Sequence, residues 1–191
     1  MILRSACSKA LALGVCLLIV QPVWAQEDAL FEALRAGGHM GLMRHSTAPG
    51  SDDPPGFRLG DCSTQRNLSA GGREQAAAIG RRLREHGIDS MRIVSSQWCR
   101  CIDTAELLEL GPVEQLSYLN SLVSYPRESA EMTRNARDWL LEIDLSSPVL
   151  VVTHQVNIGA LLRRYPEEGE IVVVRPTSDG ELEVVGTIGV D

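Results

Sequence analysis

LMRHSTAPG, residues 42–50, joins an apolar run to a basic pair and then to turn-forming residues. A strand from His39 to Met43 that stops on Arg44 and His45 delivers a guanidinium and an imidazole to its carboxyl end, where Ser46, Thr47, Pro49 and Gly50 lead the chain away. Two further apolar runs end in the same kind of chemistry. Met91–Ser95 is followed by Ser96, with Arg100 just beyond, and Val149–Val152 ends at Thr153-His154. The Val149 run is apolar on both faces, as a central parallel strand should be. In an open α/β sheet, ligands sit at the carboxyl ends of the strands, so two imidazoles and two guanidiniums are expected in one pocket.

The rest of the chain supplies the helices that such a sheet needs. Short β-branched runs alternate with helical patterns, the signature of a layered α/β domain. A short helix is expected over Glu27–Ala36, ending at Gly37-Gly38. Ser69 caps a helix that runs to His86, with Gly72, Ala76, Ile79 and Leu83 on one face and Gly87 closing it. Another helix is expected from Gln97 to Glu109, stopped by Gly111-Pro112, and a fourth carries the stripe Met132, Ala136, Trp139, Leu140, Ile143. A helix over Gln155–Arg163 follows the central strand. Ile171–Val174 and Leu182–Val185, joined across Asp179-Gly180, form a terminal hairpin. Residues 46 to about 67 have no apolar period and are rich in Pro, Gly and Asp; a loop of that length inside a compact domain usually forms part of a site.

The predicted pocket suits a phosphate. Arginines hold nonbridging oxygens, and a neutral imidazole attacks phosphorus in line, carrying the phosphoryl group until water removes it. Such attack needs the other ring nitrogen held as N–H, usually by a carbonyl. Lys9 is the only lysine, so every cation of a folded domain beyond it is Arg or His, and a guanidinium grips phosphate through two parallel hydrogen bonds. Cationic side chains already meet the charge that a metal ion would otherwise neutralise, and HExxH and tight His/Asp clusters are lacking, so no metal or other cofactor is expected.

LMRHSTAPG, NLSAGGREQAAAIG, SSQWCRCIDTAELL and VLVVTHQVNIGALL, in this order and spacing, resemble the histidine phosphatase superfamily, the phosphoglycerate-mutase-like fold, from about residue 38 to 175. The resemblance implies a three-layer α/β/α sandwich with a mostly parallel central sheet. It implies His45 as the phosphorylated nucleophile, with Arg44, Arg100 and His154 binding and polarising the phosphoryl group. Ser46 stands where the family most often has Gly. Gln155 follows His154 where the acid-phosphatase branch has Asp, so that branch's proton donor is missing. The mutase-like branch draws a glutamate from the region between the second and third motifs, which makes Glu128 and Glu131 candidates. Asp61 and the Asp52-Asp53 pair compete for the role. Thr47, Ser96, Gln155, Asn157, Arg58 and Arg66 are candidate substrate or supporting contacts, with loop scaffolding the alternative for each.

Arg4 and Lys9, then the apolar run Ala10–Val20 and Val23-Trp24-Ala25, read as a secretory signal peptide cleaved after Ala25; the run is too short for a permanent anchor. Removal of 25 of the 191 residues leaves 166, the length of one domain (26–191), with 16 arginines against 25 acidic residues and a formal charge of −9. That balance argues against nonspecific binding to nucleic acid or anionic membrane. A periplasmic or secreted protein with Cys62, Cys99 and Cys101 is expected to hold one disulfide and one free thiol, the bridge joining Cys62 to one of the other two. His86 at a helix end, His39, Trp139 in its stripe and the Arg81-Arg82-Arg84 run read as structural, the last as a solvated helix face. The expected function is an exported, metal-independent phosphomonoesterase acting on a sugar phosphate or a phosphorylated envelope glycan. The alternative is a catalytically inactive module of the same fold that binds phosphate ligands.

Overall fold

The computed structural model describes residues 23–190. Of the expected export segment, residues 1–22 lie outside the described residues. The elements are α1 (Val23–Ala36), β1 (Met40–Arg44), α2 (Ala70–Glu85), β2 (Arg92–Ser95), α3 (Cys99–Leu107), β3 (Val113–Gln115), α4 (Ser129–Glu142), β4 (Val149–Thr153), α5 (Gln155–Leu162), β5 (Ile171–Pro176) and β6 (Leu182–Ile188). Six strands form one sheet in the order β3-β2-β4-β1-β5-β6. β1, β2, β3 and β4 are parallel, and the β5–β6 hairpin adds antiparallel strands at one edge.

The alternation of side chains along each strand divides the core into two layers. Leu150 and Val152 of β4, with Ile93 and Val173, pack under Leu30, Phe31 and Leu34 of α1, Ile79 and Leu83 of α2 and Ala105 of α3. Val149 and Val151, with Leu42 and Val172, pack against Ala136 and Leu140 of α4 and Ile158 and Leu161 of α5. β4 is buried throughout, and each such side chain contributes about 1.5–3 kcal/mol by leaving water. Gly41 sits where the sheet has no room for a side chain: a Cβ there would lie 2.7 Å from Ile171 Cγ2 and 2.8 Å from Leu150 Cδ1. Gly72, on the first turn of α2, lets the helix approach the Thr47 carbonyl, and the Ser69 hydroxyl caps that helix by accepting from the Gly72 N–H at 2.9 Å.

Three local expectations need correction. α3 begins at Cys99 rather than Gln97, because Trp98 is extended and buries its ring in the core. It ends at Leu107, and Glu109 has a left-handed φ of 56°. β3 was not anticipated; its three residues carry two exposed polar side chains and no alternation long enough to read. Of the arginine run on α2, Arg81 is exposed as expected, but Arg82 and Arg84 are not simply solvated. Arg82 pairs with Glu27 of α1 at 2.5 Å and donates to the Gly189 carbonyl at 2.8 Å, while Arg84 donates to the Leu108 carbonyl at 2.8 Å. His86 closes α2 as expected, stacked on Phe31 at 3.8 Å.

Strand register is what builds the site. Arg44 pairs with Thr153 and Ser95 with Val152, so the chain leaves β1, β4 and β2 at one level of the sheet. The His45 N–H donates to the Thr153 carbonyl at 3.0 Å and the Ser96 N–H to the Val152 carbonyl at 3.0 Å, which locks the exits together.

Candidate active site

A cavity of about 280 Å³ opens over these strand ends, and its lining includes Arg44, His45, Arg66, Arg100, His154 and Gln155, with Asp52, Asp53, Phe57 and Val123. The ring centroids of His45 and His154 are 5.6 Å apart. His45, Arg44, Arg100 and His154, from two strand ends and one helix, thus face one space. The long loop supplies Arg66 as a third guanidinium, which sequence reasoning left among the minor contacts.

His45 Nδ1 lies 2.8 Å from the Ser46 carbonyl, and a carbonyl can only accept. Nδ1 therefore carries the proton, and the lone pair is on Nε2. Burial drives the His45 pKa down from 6.5 to about 3; the Ser46 hydrogen bond works in the opposite direction, and the charges of Arg100, Arg66 and Arg44 lower it further. The imidazole is neutral, as a nitrogen nucleophile must be. Burial likewise holds His154 well below the ordinary value, with Arg100 adding to the effect. Arg100 Nη2 approaches His154 Nδ1 at 3.4 Å, and the Ser96 hydroxyl lies 2.9 Å from His154 Nε2. Since a guanidinium only donates, Nδ1 accepts and Nε2–H points to Ser96, which in turn donates to Asn120 Oδ1 at 3.3 Å.

Each of the three arginines is anchored through Nη1. That of Arg44 donates to the Pro166 carbonyl at 3.2 Å, that of Arg66 to the carbonyls of Ala48 and Gly50 at 2.5 and 3.1 Å, and that of Arg100 to Asp53 at 2.9 and 3.2 Å. Arg44 Nη2 also pairs with Glu168 at 3.3 Å. The Nε atoms of Arg44, Arg66 and Arg100 are all buried without a hydrogen-bond partner. A buried N–H left unpaired costs about 1–3 kcal/mol, more when the group is charged. An oxyanion among these residues supplies the acceptors that they lack.

The other expected site residues are distributed differently. Ser96 contacts His154, and Gln155 lines the cavity while donating to the Pro166 carbonyl at 3.0 Å. Thr47 is turned away, with its N–H and hydroxyl on Gln75 Oε1 at 3.0 and 3.2 Å. Asn157 props the segment after β3, donating to the Leu119 and Asn120 carbonyls. Arg58 is exposed and paired with Asp61 at 2.5 Å. The carboxylate candidates are redistributed too. Asp61 caps the turn at Cys62, and Glu128 and Glu131 line a separate cavity of about 360 Å³ with Tyr118 and Tyr125. None of the three lines the cavity of His45, whereas Asp52 and Asp53 do.

Cys62 and Cys99 form the disulfide, tying the long loop to the first turn of α3, beside Arg100. Cys101 is the free thiol, buried 3.6 Å from His154 Nε2, and burial pushes its pKa up to about 12, which makes it an inert neighbour. Among the described residues, no three His, Cys, Asp or Glu side chains gather as metal ligands, and no helix is long and apolar enough to cross a membrane.

The sequence model of the histidine phosphatase superfamily (branch 1) matches residues 42–123, from within β1 to the segment before α4 and including Arg100; this part of the chain is similar to that superfamily. Solved structures share its fold across most of their length. The protein histidine phosphatase SixA complexed with tungstate aligns with a TM-score of 0.54 at 19% identity, covering 79% of this chain and 96% of its own. A mycobacterial glucosyl-3-phosphoglycerate phosphatase complexed with VO3 gives 0.56 at 16% identity, covering 76% and 96%. Phosphoserine phosphatase from Entamoeba histolytica, in complex with 3-phosphoglyceric acid, gives 0.57 at 13% identity, covering 80% and 98%. No curated protein matches the chain. What the chain shares with these phosphatases is the fold, together with the motif-bearing stretch over residues 42–123.

Proposed function

We propose that this chain is a histidine phosphatase, a metal-independent phosphomonoesterase that works through a phosphohistidine on His45. The observation that carries the reading is the pairing of a neutral His45, its Nδ1–H held by the Ser46 carbonyl, with three guanidiniums whose Nε–H groups are buried and have no partner. The Nε2 lone pair forms the N–P bond as the P–O ester bond breaks. The arginines hold the nonbridging oxygens as charge moves onto them, and His154, whose Nδ1 accepts from Arg100 Nη2, helps to keep that guanidinium in place. Water then gives a proton to the carboxylate that protonated the leaving group and attacks phosphorus; the N–P bond breaks, its electron pair returns to Nε2, and inorganic phosphate leaves.

The leaving alkoxide needs a proton. Asp52 is the donor in this reading: it lines the cavity and is exposed, touched by the Ser51 hydroxyl at 2.8 Å, whereas the neighbouring Asp53 is fully engaged. Replacing Asp52 by Asn is expected to slow an alkyl phosphate at least tenfold and a nitrophenyl phosphate little, because a good leaving group needs no acid. Equal slowing of both would remove Asp52 from the role.

An exported enzyme meets sugar phosphates and phosphorylated envelope glycans, and these are the substrates proposed. The Cys62–Cys99 disulfide supports an oxidising compartment. The decisive experiment traps acid-labile phosphate on the protein after mixing with substrate and maps it by mass spectrometry. The expected result is label on His45 that is lost in His45→Ala. Saturable phosphate binding without label or turnover would favour the inactive binding module instead.

A further inference from the structure

Asp53 sits inside the catalytic cavity yet has the wrong surroundings for an acid. Its Oδ1 accepts from the Arg66 N–H at 2.9 Å and Arg100 Nη1 at 2.9 Å; its Oδ2 accepts from Trp98 Nε1 at 2.8 Å and Arg100 Nη1 at 3.2 Å. Both partners of the ion pair are buried, with side-chain exposures of 4% for Arg100 and 8% for Asp53. Burial raises the Asp53 pKa, but the hydrogen bonds from Arg66 and Trp98, together with Arg100, outweigh it and leave the carboxyl below its ordinary value. Each oxygen is occupied by two donors, so no lone pair remains to relay a proton.

We propose that Asp53 is a positioning residue that acts through Arg100: by capturing Nη1 it fixes the guanidinium plane and leaves the Nε and Nη2 side to the substrate's phosphoryl oxygens. This rests on the reading of the cavity as a phosphoryl site. The donors come from three places in the chain, namely the end of the long loop, the residue before α3 and α3 itself, and a carboxylate alone can satisfy them. An amide at this position would set its own N–H against that of Trp98 or Arg66.

The test is a double-mutant cycle of Asp53→Asn and Arg100→Ala in the full-length protein, read both as the dissociation constant for inorganic phosphate and as kcat/KM for a nitrophenyl phosphate. Asp53→Asn is expected to weaken phosphate binding and lower kcat/KM at least tenfold in the presence of Arg100, and to change either by less than twofold in the Arg100→Ala background. A loop anchor that does not act through Arg100 would give the same loss in both backgrounds, and that additive result would overturn the proposal. Trp98→Phe, which removes one donor from Asp53 and leaves the carboxylate and Arg100 in place, is expected to give a smaller loss with the same dependence on Arg100. If Asp53→Asn does not fold, an additive Trp98→Phe cycle overturns the proposal in its place. Wild-type protein that takes up no phosphate would overturn the phosphoryl-site reading and this proposal with it. Wild-type binding with an additive cycle would overturn the role of Asp53 alone.

Discussion

The arginines of the cavity and those of the protein surface are the same residue held in opposite ways. On the outside, Arg92 gives Nε and Nη2 to the two carboxylate oxygens of Glu114 at 2.9 and 3.0 Å, and Arg175 turns the same pair of nitrogens to Glu183 at 2.8 and 2.7 Å. In the cavity, Arg44, Arg66 and Arg100 are each gripped by Nη1, and the Nε atoms are buried with no acceptor. The surface pairs are complete within the protein. The cavity arginines are complete only with an anion, which is how a chain with an acidic overall balance can concentrate positive charge at one spot.

Lysine substitution breaks the contrast most sharply. Arg100→Lys keeps the charge and loses the planar donor edge, so kcat/KM is expected to fall about 100-fold or more, about 2.7 kcal/mol of transition-state stabilisation. Opening the disulfide comes next. Cys62 and Cys99 are 37 residues apart, and Cys62→Ser is expected to cost about 3–4 kcal/mol in chemical denaturation. It should also raise KM, because the loop that carries Asp53 and Arg66 loses its tie to α3.

The effect of pH follows from the neutral histidines. His45 has an ordinary pKa of 6.5 in the unfolded chain and about 3 in the folded one, so between these values the unfolded state binds more protons. Stability due to this group is complete above 6.5 and is lost as pH falls toward 3, with a limiting slope of about 1.4 kcal/mol per pH unit. His45→Gln should flatten the curve by that slope, as read from urea denaturation across the window; an unchanged slope would mean that His45 is charged in the fold. The smallest effects belong to the surface. Arg92→Lys and Arg58→Ala are each expected to leave kcat/KM within twofold and to change stability by about 0.2–1 kcal/mol at most.

What the sequence disclosed of this arrangement was local. Arg44-His45, Ser95-Ser96 with Arg100, and Thr153-His154 each sit at the end of a readable apolar strand, and the rule that places ligands at the carboxyl ends of strands predicted their meeting. Contacts that join distant segments were not legible. Asp53 and Arg100 are 47 residues apart, and nothing in the Asp52-Asp53 dipeptide tells which carboxylate turns inward. Glu128 and Glu131 occupy a suitable stretch of chain, but they line another cavity. Arg82 and Arg84 of α2 looked solvated because their partners, Glu27, Gly189 and Leu108, come from elsewhere in the chain. Arg66 could have been promoted on its neighbourhood, since it ends the irregular loop just before the helix cap at Ser69 and lies opposite the arginine-histidine pair.

The most direct test is a crystal structure with vanadate. The predicted result is vanadium bonded to His45 Nε2, with oxygens within hydrogen-bonding distance of Arg44, Arg66 and Arg100. Vanadate bound away from His45, or beside it with the three guanidiniums turned elsewhere, would contradict the account.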